Sequence, residues 1–394
     1  MSYSRSMPIT FAAALVLVLT LFVHITDSQA VQAEEVRWQK SIDDIGIPEG
    51  HVQKSIIFDD KMWLFGIYDY NEFDSRAVIW SSDDGEEWQL ETDFTDDEEA
   101  PILKDTDNVV VFDNKLWVIG WTGVWLSEDG VHWQQLKDRE NTDWPMTTGF
   151  SAAAYDSKLW VAGGYNNGAT NEVWVSEDGI DWEQATEEAD WSPRMSPNLF
   201  EFADKFWLIG DNKGKSDVWY SEDGVSWQQA AEDTGWSHRN DPAVTASDDG
   251  IWVTGGSDVT GEGLVYNDVW FSPDGKDWNK VTDEAAWEPR FRHASIVYDD
   301  KLWVMGGVNF DFDGGYQVNV HDVWHYSLID EEEELTPPKA VPPNKKTRCV
   351  HKLRNQCQPG VNMSKKQHCN KCPSNKEEIR KHGINIHKEA AKNK

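Results

Sequence analysis

The sequence predicts an all-β chain, a six-bladed β-propeller of four-stranded blades, and three observations carry that prediction. Variants of one double-hairpin unit recur at a period of roughly 45 residues, the spacing of a propeller blade. Tryptophan marks the same two strands of each unit. It stands at Trp63, Trp117, Trp160, Trp207, Trp252 and Trp303 in the second strand, and at Trp80, Trp125, Trp174, Trp219, Trp270 and Trp324 in the third. A frame W-x-S-x-D-G-x-x-W then closes the outer hairpin five times, ending at Trp88, Trp133, Trp182, Trp227 and Trp278.

The unit is clearest over residues 267–307. NDVWFS and DWNKV flank an Asp-Gly turn, and HASIVY and KLWVMGG flank the polar turn Asp299-Asp300. Asp-Gly between apolar runs is the strongest short-range hairpin signal. After Trp324 the closing frame fails, because the chain reads HYSLIDEEEE. The missing strand is expected from the other end, where residues 35–41 place Trp38 at the position of a closing Trp. A ring locked by its N-terminal strand leaves no open sheet edge to invite aggregation.

In chain order, residues 1–33 read as a secretory signal peptide. The apolar run 11–23 is short for a membrane span, follows Arg5, and is followed by small-residue cleavage candidates. The protein is therefore expected to be secreted, extracellular or periplasmic. Residues 34–330 form the propeller. Runs such as LWVIG and LWVAGG are apolar throughout because a blade is packed on both faces by its neighbours. All 23 Trp fall in this body, most of them at repeat positions inside strands, which assigns those to core packing. Residues 331–345 are an acidic, Pro-rich linker, and 346–394 a basic tail, disordered or a small unit, that holds every cysteine. Cys349, Cys357, Cys369 and Cys372 suit two disulfides in an exported protein, with a zinc knot as the alternative.

Charge divides along the chain. Residues 34–334 carry 20 Lys+Arg against 66 Asp+Glu, net −46, whereas 335–394 carry 15 against 3, net +12. Such a body repels nucleic acid, while the tail is suited to an anionic surface or an acidic partner. The carboxylates are scattered through turns instead of gathered at ligand spacing, so solubility explains them and no metal site is assigned.

Strand, polar turn, L-W-V-x-G-G, N-D-V-W and an outer Trp strand together resemble the kelch repeat over about three quarters of the chain. The match is best around Gly163-Gly164, Gly255-Gly256 and Gly306-Gly307; it is looser around Gly66, Gly120 and Gly210, where the second Gly is missing. S-x-D-G-x-x-W is also similar to the Asp box of sialidase-type propellers, but here Asp and Gly are adjacent. In those families the box is a structural turn. The resemblance implies a propeller, and it extends to exported kelch-type sialic-acid epimerases, whose catalytic positions no motif here matches. Some kelch-like propellers are copper oxidases that need a Tyr–Cys cross-link. That chemistry is excluded for residues 34–334, which contain no cysteine.

No catalytic constellation has strong spacing: there is no phosphate-cradling Gly loop, no G-x-S-x-G and no H-E-x-x-H. No cofactor is expected. One pattern does stand out among only seven Arg in the body. Arg139, Arg194, Arg239, Arg290 and Arg292 lie in loops joining an outer strand to the next inner strand, with His293 nearby, and three follow a W-x-x-R frame. Converging in a ring, they would make a cationic face for an anionic glycan or an acidic peptide. The competing reading pairs each Arg with its own Trp or with an acid of a neighbouring blade. Long second-to-third-strand loops share that face, and the last brings Phe312 as an aromatic contact. The leading expectation is a non-enzymatic binding propeller with a tail for attachment. The rivals are a carbohydrate-active enzyme and a matrix protein that self-associates through tail and body.

Overall fold

A computed structural model of the chain describes residues 37–46, 50–71, 74–93, 108–120, 122–138, 141, 148–210, 216–258, 264–311 and 316–328. Within them six antiparallel four-stranded sheets are arranged as six blades. The first blade comprises Gly50–Phe58, Lys61–Asn71, Asp74–Ser82 and Gln89–Asp93. The second comprises Asn108–Phe112, Lys115–Gly120, Gly123–Ser127 and Trp133–Asp138. The third runs Ser151–Tyr155, Lys158–Ala162, Val173–Ser176 and Glu183–Thr186. The fourth runs Asn198–Phe202, Lys205–Ile209, Val218–Ser221 and Trp227–Ala231. The fifth runs Ala243–Ser247, Gly250–Thr254, Val269–Ser272 and Asn279–Thr282. The sixth takes Ala294–Tyr298, Lys301–Met305 and Val323–Ser327, and its outermost strand is the N-terminal Trp38–Ile42. Each inner strand packs beside the next, and the sixth returns to the first. The expected clasp is present, with Trp38 opposite Tyr326 and Lys40 opposite Trp324. No helix among the described residues is long and apolar enough to cross a membrane.

Local chemistry explains the repeat. Most first-to-second-strand turns hold two successive residues at positive φ, such as Asp59-Asp60, Asp113-Asn114 and Asp299-Asp300. That is the primed turn whose twist matches paired strands, and Asp and Asn tolerate it. Between third and outer strands a β-bulge recurs at Trp80, Trp125, Trp174, Trp219 and Trp270. The bulge re-aims each Trp at one point of its blade.

The S-x-D-G-x-x-W element proves to be an inter-blade socket. In the third blade Gly179 N donates to Ser176 Oγ at 2.8 Å, and Asp178 Oδ1 accepts from Ile180 and Asp181 N at 2.9 and 3.0 Å. The backbone N–H groups of Asp181 and Ile180 hold the Asp178 carboxyl below its usual range. Trp182 Nε1 donates to Gly179 O. Gly179 has φ +73°, and a Cβ there would be driven into the ring of Trp117 from the preceding blade. Gly85, Gly130, Gly224 and Gly275 sit in the same way on Trp303, Trp63, Trp160 and Trp207. Five of the six seams between blades are thus closed by a Trp lying under a Gly.

The sixth seam, between the fifth and sixth blades, is built differently. Its Trp252 packs on Phe271 and Tyr326, with centroids 4.5 and 6.4 Å away, because the strand that follows comes from the N-terminus and brings no Asp-Gly turn. Trp38 compensates by packing edge-on to Trp287 at 5.9 Å and against Tyr326 at 5.1 Å.

Candidate functional site at the channel mouth

Three of the arginines singled out in the sequence are framework. Arg194 is buried and meets Asp217 in a two-pronged pair, Nη1–Oδ1 2.8 Å and Nη2–Oδ2 3.2 Å; it also donates to Gly210 O and Ser192 O. Arg239 repeats this with Asp268 at 2.6 and 3.0 Å, and Arg290 pairs with Asp322 at 2.8 Å. Each aspartate also accepts from the Trp two residues on: Trp219, Trp270 and Trp324. Arg194 and Arg290 lie over Trp191 and Trp287 as well. Each guanidinium therefore pins a connecting loop to the blade that the loop is about to enter. The geometry of these three is that of the competing reading, so among the described residues Arg194, Arg239 and Arg290 are engaged within the frame and do not form the expected cationic face. Arg139 and Phe312 lie outside the described residues, as do all four cysteines.

Arg292 is placed differently. Its side chain is 35% exposed, its Nε lies 3.1 Å from Asp241 Oδ2, and its N donates to Asp241 O at 3.0 Å. It belongs to a series that the sequence reading missed. Immediately before the inner strands of blades three to six, Gly149, Ser196, Asp241 and Arg292 occupy equivalent positions, all at φ between +47° and +65°. Ser196 N donates to Gly149 O, as Arg292 N does to Asp241 O, so blade three is linked to blade four and blade five to blade six at the channel mouth. Only the first of the four is Gly. Holding Ser, Asp and Arg in the left-handed region costs of order 1–3 kcal/mol each, which is the kind of strain found at functional positions.

The loops of this face are tied to the mouth by backbone bridges. Thr148 pairs with Tyr165, Asn240 with Ser257, and Phe291 with Val308. Each joins the segment leading into an inner strand to the second-to-third-strand loop of the same blade. In the sixth blade that loop forms a hairpin, Val308–Asp311 with Tyr316–Asn319, and Phe310 stacks on Phe291 at 5.1 Å. Tyr165, Met195, Leu264 and Val318, four of the eight large apolar residues most exposed among the described ones, stand on these segments.

Below the mouth lies a channel of ≈ 150 Å³ to which all six inner strands contribute, among them Lys54, Asn108, Ser151, Asn198, Ala243 and Ala294, with Asp241 and Arg292 from the segments that lead into the last two. His293 lines it, fully buried, with Nε2 2.8 Å from Thr254 Oγ1. Burial, aided by the Arg290 charge, pushes its pKa down to about 3, so the ring is neutral at physiological pH. Among the described residues no group of three or more His, Cys, Asp or Glu is placed to hold a metal ion.

A family model described as the DUF6242 beta propeller domain matches residues 32–143, less than half of the chain. No curated protein matches it. Among solved structures, one titled "Structure of YjhT" is 14% identical, covers 54% of this chain and 75% of that chain, and superposes with a TM-score of 0.47. The family match agrees with a β-propeller.

Proposed function

We propose that this chain is an exported, non-enzymatic binding or scaffold propeller of the kelch type that recognises a glycan or protein ligand with the face around the channel mouth. The observation that supports the reading is the ring of strained, non-repeating residues there, Ser196, Asp241 and Arg292, on a frame that otherwise repeats. Repetition belongs to packing, whereas departures from it concentrated on one face belong to recognition. Exposed Tyr165, Met195, Leu264 and Val318 surround the same mouth and add apolar contact area. The apolar run 11–23 serves export, and the basic tail serves attachment to an anionic surface or acidic partner.

Glycan and peptide arrays probed with the full chain test this. The expected result is selective binding that is lost in a Tyr165→Ala, Met195→Ala, Leu264→Ala variant with an unchanged melting temperature. Binding that this variant retains, or no binding to either array, refutes the assignment of the face.

A further inference from the structure

The six inner strands can be aligned on the residue that ends each one, and the fourth residue before that end lines the channel in every blade. It is Lys54, Asn108, Ser151 and Asn198 in blades one to four, but Ala243 and Ala294 in blades five and six. The wall is therefore polar and filled over four blades and recedes over the last two. On the receding side two side chains, each at least nine-tenths buried, have a polar atom with no protein partner: His293 Nδ1 and Ser295 Oγ. Both residues line the channel, and buried polar groups are normally satisfied, so the two unmet atoms mark this side of the wall as the one a ligand would complete. Directly above stand Asp241 and Arg292, an acceptor and a donor side by side.

We infer that this channel binds a neutral polyhydroxylated ligand, a sugar or polyol, seated against Ala243 and Ala294 beneath the Asp241–Arg292 pair. The inference rests on the binding-propeller reading and names the chemistry of its site. A hydroxyl both donates and accepts, which is what a lining of amides and hydroxyls (Gln53, Asn108, Ser151, Asn198, Ser295) offers. An adjacent carboxylate and guanidinium suit vicinal hydroxyls, one accepting and one donating. An anion fits less well. Arg194, Arg239 and Arg290 are committed to their aspartates, Arg292 has Asp241 beside it, and His293 carries no charge at neutral pH; Lys54 is the remaining cation of the lining, one charge that the glucuronate titration weighs against the neutral compounds.

The test is titration of the full chain with methyl glycosides of neutral hexoses and with xylitol, alongside glucuronate and an acidic hexapeptide, followed by calorimetry and ligand-observed NMR. Three variants accompany it: Ser295→Ala, Ala243→Val and the triple loop variant above. Ser295→Ala removes one hydroxyl and Ala243→Val adds two methyl groups, so both should keep the native melting temperature. The expected result is binding of a neutral member that each of these two weakens about tenfold, the loss of roughly one hydrogen bond or of a fitted contact. A preference for glucuronate or the peptide overturns the inference. So does binding that Ser295→Ala and Ala243→Val leave intact while the loop variant abolishes it, a result under which the binding-propeller reading survives. No binding of any neutral compound also overturns the inference, and the arrays then decide the wider reading on their own.

Discussion

Replacing Arg239 by Ala should destabilise the propeller without touching recognition. The guanidinium is 2% exposed in its side chain and makes contacts at 2.6 and 3.0 Å to Asp268, with further bonds to Gly255 O at 2.9 Å and Ser237 O at 3.1 Å. Truncation leaves the Asp268 carboxylate, 11% exposed, with only Trp270 Nε1 as a donor among these contacts. Removing one partner of a buried pair costs about 3–5 kcal/mol, because the remaining charge is stranded out of water. The comparison is Arg292→Ala. Its pair with Asp241 is partly solvated, at 35% and 27% exposure, and a pair of that kind contributes about 0.2–1 kcal/mol. Guanidinium denaturation of the full-length variants, followed by Trp fluorescence, reads both. Arg239→Ala should lower the midpoint several times more than Arg292→Ala, and a double Arg239→Met, Asp268→Leu variant should recover much of the loss. Equal midpoints for the two single variants would refute the division of the arginines into framework and face.

Gly179→Ala should cost about 2–4 kcal/mol, adding an overpacked Trp117 to a left-handed Ala, whereas Gly46→Ala, at φ +87° with nothing within 4 Å of its Cβ, should cost only about 1 kcal/mol. Thermal melts of the two variants check the inter-blade socket. His293 has a folded pKa of about 3 against 6.5 for the free ring, so its neutral form favours the native state. That stability is complete above pH 6.5 and is lost as pH falls from 6.5 toward 3. At about 1.4 kcal/mol per pH unit it amounts to at most about 5 kcal/mol. Melting temperature measured between pH 7 and 4 should therefore fall less steeply in His293→Gln than in the wild type. Trp38→Ala should cost about 3–5 kcal/mol by emptying the clasp between Trp287 and Tyr326, and hydrogen exchange should then rise first along 323–327.

The fold was legible because the blade repeats its own punctuation. Two Trp positions and a nine-residue turn frame fix strand order, and the failure of the frame after Trp324 points to Trp38 as the missing partner. The turn's deeper role was not legible. That Gly179 is a seat for Trp117 depends on which blade lies next to which, and no local pattern states that. The buried arginine pairs were partly written in the sequence. Each of the three W-x-x-R frames precedes a blade that opens its third strand with D-V-W. In blade three Thr147 stands in the Arg position and Glu172 replaces Asp, with Trp174 Nε1 bonded to it at 3.1 Å. Reading Arg and Asp together would have separated Arg194, Arg239 and Arg290 from Arg292. Ser196 and Asp241 escaped notice because a polar residue before a Pro is unremarkable in sequence. Their left-handed backbone and their place on the ring appear only when the inner strands are side by side.

The most direct measurement is hydrogen–deuterium exchange of the full chain with and without the strongest array ligand. The account predicts protection confined to the mouth, at residues 148–151, 196–199, 240–245 and 291–296 and in their tied loops. Protection centred instead on the Asp-Gly turns of the outer hairpins, or no protection at saturating ligand, would contradict it.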